Sequence, residues 1–275
     1  MEFARPTQID EALALLAAGN WDVLSGGTDY YPGLRDEPPT APILDISAIN
    51  SLRGVTREPS GWRIGALATW TDLIRADLSP AFDGLKLAAR EVGSVQIQNR
   101  ATLAGNLCNA SPAADGVPPL LVLDASVEVA SHTGRRSRPL AEFILGNRQT
   151  SLAPGEMVTA ITIPDHAGQG ASSFLKLGAR KYLVISIAMV AVRLVIEAER
   201  VAEAAVAIGA CSVVARRLGA LEAALTGLPL SEIERAVTTE HMTDLSPISD
   251  VRASEAYRRE AAVELVRRTL REACA

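Results

Sequence analysis

The sequence predicts an α+β fold in which a two-part N-terminal domain, residues 1–165, is followed by a smaller sheet-and-helix domain, residues 166–275. Three observations carry this reading. A strand, a glycine-rich loop and a second strand near the N-terminus form a β-α-β-like unit. After Arg53 the pattern changes to alternating strand segments, dividing the first domain into subdomains of about 1–52 and 53–165. Beyond the breakers Pro164, Gly168 and Gly170, strands come first and helices last, the order of an α+β unit.

Each element has a local reason. Thr7-Gln8-Ile9-Asp10 has the form of an acidic capping box, and Ile9, Leu13 and Leu16 then recur at helical spacing until Gly19 supplies a stop. Residues 21–24 read as a short apolar strand running directly into Ser25-Gly26-Gly27, and 42–46 as a second strand. Trp62, Ile64 and Ala66 share one face of a strand, and 68–76 reads as a helix opened at Thr69 or Thr71. Leu85, Ala88, Ala89 and Val92 fall at i, i+3, i+4 and i+7, which predicts a helix over 85–92. That helix delivers the chain to a polar-rich segment running from Gly93 to Arg100. A helix over 117–123 and strands over 127–129 and 158–163 complete the first domain. The second has strands over 172–177, 185–196 and 204–208, then helices near 218–225 and 254–273.

Composition narrows the function classes. With 275 residues, 48% of them hydrophobic, the chain can bury a sizeable core, and a net charge of −5 argues against a nucleic-acid or anionic-membrane surface. Arg135, Arg136 and Arg138 read as a solvated hairpin tip. Residues 1–20 lack the basic and apolar regions of a secretion leader, and the longest apolar run, 183–196, is short and interrupted by Arg193. The expectation is a soluble, cytoplasmic protein without membrane insertion. Cys108, Cys211 and Cys274 are too few for a four-thiolate iron–sulfur cluster and lack zinc-type spacing, so they read as reduced, partly buried residues; Cys108 alone lies inside a candidate site, with packing as its plainer reading. His132, His166 and His241 fall at turns or loops, and Gly-x-Ser-x-Gly is absent. No catalytic nucleophile–base pair and no metal site is expected in this chain.

What remains is ligand binding. Ser25-Gly26-Gly27-Thr28-Asp29 and Thr102-Leu103-Ala104-Gly105-Asn106 each look like a backbone cradle for phosphate, because successive N–H groups in a turn form an anion site and glycine permits close approach. Together they suggest one dinucleotide held between two loops. Neither contains the P-loop or the Rossmann glycine pattern, which sets both of those folds aside.

These two loops, with Gln96 to Asn106, Ala110-Ser111-Pro112-Ala113-Ala114-Asp115, Pro154-Gly155-Glu156, Ile161-Thr162-Ile163-Pro164, Phe174-Leu175-Lys176-Leu177, Ile248 to Ser254 and Tyr257-Arg258, resemble in order and spacing the motifs of the FAD-binding medium subunit of molybdenum hydroxylases. That family includes carbon monoxide dehydrogenase and the flavin segment of xanthine dehydrogenase, and the resemblance covers almost the whole chain. It implies a two-lobed flavin fold of the PCMH type followed by a small α+β domain. It also implies an FAD-carrying electron-transfer oxidoreductase subunit, with molybdopterin and a [2Fe–2S] cluster in large and small partner subunits, arranged as a dimer of heterotrimers. Electrons would pass from the cluster through FAD to an external acceptor.

By the same resemblance, backbone amides of Ser25, Gly26, Gly27, Thr28 and Asp29, and of Thr102, Leu103, Ala104, Gly105 and Asn106, would hold the pyrophosphate. Thr28, Thr102 and Asn106 would add side-chain hydrogen bonds. Asp115 would accept hydrogen bonds from a flavin-side hydroxyl or amide, Val158 would make an apolar contact, Lys176 would lie beside the cofactor, and the chain would pass close to it at Gly93. Three of these also have plain structural readings: a helix N-cap for Asp115, a solvated strand lysine for Lys176 and core packing for Val158.

Two departures from the family pattern stand out. Ala104 occupies a position that is usually glycine, which demands a negative φ there or strain. The segment 179–186 lacks the acidic residue common in xanthine-dehydrogenase-like members, leaving Tyr182 either to screen the ring or to pack in the sheet. The C-terminal helix, with Tyr257, Val263, Leu265 and Val266, has two readings, as part of a subunit contact or as domain packing. Two rivals remain at this stage: a self-sufficient flavin oxidase of the two-lobed fold, and a cofactor-free assembly protein that would leave both glycine loops without a role.

Overall fold

A computed structural model describes residues 2–35 and 37–275. Its first elements are β1 (Phe3–Ala4), α1 (Ile9–Ala18), β2 (Asp22–Leu24), α2 (Tyr30–Leu34) and β3 (Ile43–Asp45). They are followed by β4 (Val55–Glu58), β5 (Gly61–Gly65), α3 (Trp70–Arg75), α4 (Asp83–Glu91), α5 (Val95–Gln98), α6 (Leu103–Asn109) and α7 (Val117–Val122). Next come β6 (Ser126–Ser131), β7 (Gly134–Pro139), α8 (Leu140–Phe143), β8 (Ile144–Gly146), β9 (Gln149–Thr150) and β10 (Met157–Pro164). The last are β11 (Ala171–Leu177), β12 (Ala188–Glu197), β13 (Arg200–Gly209), β14 (Arg216–Arg217), α9 (Gly219–Leu225), α10 (Ile233–Ala236) and α11 (Glu255–Ala273).

Three sheets carry the fold. The N-terminal strands form a parallel sheet of order β1-β3-β2, with α2 in the crossover between β2 and β3, which is the β-α-β-like unit the sequence predicts. An antiparallel sheet of order β4-β5-β10-β6-β7 forms the second lobe. Leu13 and Leu16 of α1 bury with Leu44 and Ile46 against Ala130 and Met157 of that sheet, which joins the two lobes.

The C-terminal antiparallel sheet, of order β11-β12-β13-β14, is covered on both sides. Alternate residues of β12 therefore serve two cores. Met189 and Ala191 pack with Phe82, Leu85 and Leu120 of the preceding region, while Val190, Val192 and Leu194 pack with Val263, Val266 and Leu270 of α11. Arg193 lies on the inner face and is fully buried. Its guanidinium donates to the carbonyl of Val122 at 2.9 Å, lies 3.9 Å from Asp124 and pairs with Glu203, so it fastens this sheet to the end of α7.

Several local expectations are corrected. The box at Thr7 is not formed: α1 starts at Ile9 with Gln8 as an uncapped N-cap, and only the Thr7 N–H reaches the Glu11 carboxylate, at 3.3 Å. The helix after residue 68 opens at Thr69, whose side chain and that of Asp72 form a full capping box. The strand expected over 185–196 begins at Ala188, because Ser186 is drawn out of the ladder by tertiary bonds. The arginine cluster is not uniformly solvated, since Arg136 donates two hydrogen bonds to the Glu156 carboxylate and one to the Ser151 carbonyl at 2.9 Å. Val263, Leu265 and Val266 of α11 are buried in the second core, so this face of the helix packs its own domain. Among the described residues no helix is long and apolar enough to cross a membrane.

Candidate cofactor-binding site

The two glycine loops meet across a cleft of about 590 Å3. Its lining includes Ser25, Gly26, Gly27, Thr28 and Asp29 on one wall and Thr102, Gly105 and Asn106 on the other. The loops are tied directly, with Ser25 Oγ and Thr102 Oγ1 3.2 Å apart. Thr102 is also the N-cap of α6, its hydroxyl accepting from the Gly105 N–H at 3.0 Å. The second loop is braced from behind by reciprocal backbone bonds, Trp70 N–H to the Ala101 carbonyl and Leu103 N–H to the Ala68 carbonyl, both 3.2 Å. The start of α3 therefore fixes the position of Thr102.

Glycine is required here for stated reasons. A Cβ on Gly26 would lie 2.1 Å from the carbonyl oxygen of Arg100, so the two backbones touch only because that side chain is missing. Gly27 adopts φ +72°, and a Cβ there would crowd the Tyr31 ring at 2.9 Å. A Cβ on Gly105 would meet the Thr102 hydroxyl at 2.8 Å and disturb the cap. Ala104 sits inside α6 with its side chain buried and without a positive φ, so the departure from glycine brings no backbone strain.

The walls are rich in unused donors. Among the described residues, the amides of Gly26, Gly27, Thr28 and Asp29 donate to no protein acceptor. The indole N–H of Trp70, a fully buried residue on the cleft wall, has no partner either. A buried polar group without a partner costs about 1–3 kcal/mol, so this donor-rich cleft is suited to a ligand that brings oxygen acceptors. A diphosphate-bearing dinucleotide fits that chemistry.

The remaining site residues named from sequence lie elsewhere. Asp115 and Lys176 face each other 2.7 Å apart, with side chains 10% and 6% exposed, and the Ser186 hydroxyl donates to the second Asp115 oxygen at 2.8 Å. Asp115 is therefore not the N-cap of α7, a position held by Gly116, and Lys176 is not a solvated strand residue. Burial pushes the Asp115 carboxyl above its ordinary value, against the opposing pull of Lys176 and Ser186. Val158 is buried in the main core beside an irregularity in the β10–β6 register, and Leu103 is buried in the same core. Gly93 adopts φ +55° at the turn between α4 and α5 and is flanked by Val92 and Ile97, which do line the cleft. Tyr182 is exposed and lies outside the strands, so it does not pack in the sheet.

Sequence reasoning missed Arg148, Trp70, Tyr30 and Asn109 on the cleft walls. Cys108, which the sequence places inside a candidate site with packing as its plainer reading, is exposed on the cleft lining. The capping box at Thr69 is the one local signal that pointed toward Trp70. The three histidines stay apart from the site: His132 is in a hairpin turn, His166 lies 3.4 Å from Asp124, and His241 caps the backbone N–H of Thr238 at 3.2 Å. Among the described residues no group of His, Cys, Asp and Glu could hold a metal ion.

Comparison with known proteins covers the chain from end to end. The family model described as the FAD binding domain in molybdopterin dehydrogenase matches residues 1–166, and that of the CO dehydrogenase flavoprotein C-terminal domain matches 173–273. The nicotine 6-hydroxylase medium subunit of Paenarthrobacter nicotinovorans is 30% identical over 279 residues, covering 99% of this chain and 97% of that protein. The nicotinate dehydrogenase FAD-subunit of Eubacterium barkeri is 35% identical over 200 residues, 68% of this chain and 66% of that one. A solved structure of carbon monoxide dehydrogenase from Hydrogenophaga pseudoflava, which lacks the Mo-pyranopterin moiety of its molybdenum cofactor, superposes with a TM-score of 0.89 at 28% identity, covering 99% of this chain and 96% of the other.

Proposed function

This chain belongs to the family of FAD-binding subunits of molybdopterin dehydrogenases, and from that premise we propose that its two glycine loops hold the pyrophosphate of one non-covalent FAD. It is an oxidoreductase subunit that carries FAD within a heteromeric complex. The observation that supports the placement is the cleft in which four unpartnered amides, Gly26 to Asp29, face a second loop bound to the first through Ser25 and Thr102. In this reading Thr28, Thr102 and Asn106 add side-chain hydrogen bonds. Ser25 and Gly26 set the spacing of the loops.

Bound FAD supplies the ability to take up electrons singly and to release them singly or as a hydride. The chain's own contribution is to bind, orient and shield. Its partners in this reading are a molybdopterin-binding large subunit and a [2Fe–2S] small subunit, assembled as a dimer of heterotrimers in the cytoplasm, and the organic substrate is handled by the large subunit. Substrate-dependent reduction of a dye, measured for the chain alone and for the complex formed with co-expressed partner chains, tests the assignment. Turnover by the complex only is expected. Full turnover of an organic substrate by the isolated chain would instead identify a self-sufficient oxidase.

A further inference from the structure

Every oxygen-seeking group described so far is a neutral donor, whereas a diphosphate also carries charge. Among the described residues lining the cleft only one is a cation, Arg148, and only one is an acid, Asp29. We propose that Arg148 is the charge-neutralising clamp of the cleft, moving from Asp29 onto the cofactor diphosphate when FAD binds. This rests on the placement of FAD between the two loops.

Arg148 is built into its position. It lies in the turn between β8 and β9 with φ +56°, a left-handed conformation that is unfavourable for a non-glycine residue. Its backbone N–H donates to the carbonyl of Ala110 at 3.0 Å, and Ala110 is itself left-handed, at φ +48°, as the C-cap of α6. The hairpin is thereby fastened to the far end of the helix whose first turn carries Gly105. One guanidinium nitrogen donates to Asn109 Oδ1 at 2.8 Å and lies 3.8 Å from Asp29 Oδ2. The other nitrogens make no bond to the protein among the described residues, and the side chain is 69% exposed.

That arrangement suits a movable clamp better than a structural ion pair. A separation of 3.8 Å between exposed groups gives little attraction in water, so releasing Asp29 is easy. A planar fork with free donors matches two phosphate oxygens at once. Without Arg148 the charged lining of the cleft, among the described residues, would consist of Asp29 alone, and a dianionic diphosphate would meet repulsion.

The test titrates the apo full chain with FAD at low and high ionic strength, following flavin fluorescence. Arg148→Ala is expected to raise the Kd for FAD by about tenfold or more at low salt, the size of one lost charge-assisted bond. The gap should narrow as salt screens the interaction, and Arg148→Lys should recover part of it. Asp29→Asn should tighten binding at low salt, by removing the acid that competes for the guanidinium. The proposal is overturned if Arg148→Ala binds FAD within twofold of the wild type, if its deficit is equal at low and high salt, or if Asp29→Asn weakens binding. Failure of the wild-type chain to bind FAD would refute the placement of the cofactor itself, a separate result.

Discussion

Lys176 and Asp115 form the most buried ion pair near the site, and their energetics follow from desolvation. Two charges held 2.7 Å apart with 6% and 10% of their side-chain surface exposed are tolerable only because each satisfies the other and Ser186 completes the carboxylate. Removing the cation alone leaves a carboxylate in an apolar setting, so Lys176→Met is expected to destabilise the chain by about 3–5 kcal/mol at neutral pH. A double change, Lys176→Met with Asp115→Leu, should recover most of that loss. The pH dependence has a definite sign. Burial raises the folded Asp115 pKa above its unfolded value, so this residue's contribution is fully present below the unfolded value of about 3.9 and is lost as pH rises through the folded one. The deficit of Lys176→Met should therefore shrink on acidification, measured by urea unfolding at several pH values. A constant deficit would contradict the account. At this scale the glycine loops were legible because a missing side chain is written in the sequence. Arg148 was not, since its place depends on a hairpin docking onto the Ala110 carbonyl, a contact between segments with no shared motif.

Among the elements, α11 shows how a helix end is tied to the site region. Ser254 caps it by accepting from the Tyr257 N–H at 3.2 Å. Just before the cap, Asp250 accepts from Arg252 and from the fully buried Arg258, which also donates to the carbonyl of Ala210 at 3.1 Å. Arg252 continues the chain to the carbonyl of Ser186 at 3.2 Å, and Ser186 reaches Asp115. The two arginines, with Arg252 first, hold the Asp250 carboxyl well below the usual range. Its stabilisation is present above the unfolded value of about 3.9 and is lost as pH falls through the folded one. Asp250→Asn should cost about 2–3 kcal/mol near neutral pH, because Arg258 stays buried with carbonyls alone, and the cost should diminish in strong acid. Thermal melts across pH check this, and a pH-independent cost would contradict it. Periodicity made α11 and the strands readable. It misplaced the start of β12 because the Ser186 bonds, which override the apolar pattern at Ile185, come from residues far along the chain.

For the whole molecule, the same arrangement explains where the cleft lies. The second lobe and the following sheet share a core through Phe174, Met189 and Ala191, and Arg193 bonds the sheet to the end of α7. The cleft is left between glycine loops whose backbones approach as closely as a missing Cβ allows. Periodicity and breakers conveyed the α+β order of strands and helices, whereas the shared core and the buried arginines were hidden, because a charged residue in a strand reads as solvent-facing until its partners are known. The central claim is that this cleft carries one non-covalent FAD. The most direct measurement is acid release and chromatography of flavin from the purified chain, or from its complex, beside the variant Gly26→Ala, whose Cβ would strike the Arg100 carbonyl and part the loops. The account predicts one FAD per wild-type chain and marked loss in a folded variant. FMN alone, flavin that stays attached after denaturation, or full FAD occupancy in Gly26→Ala would contradict it.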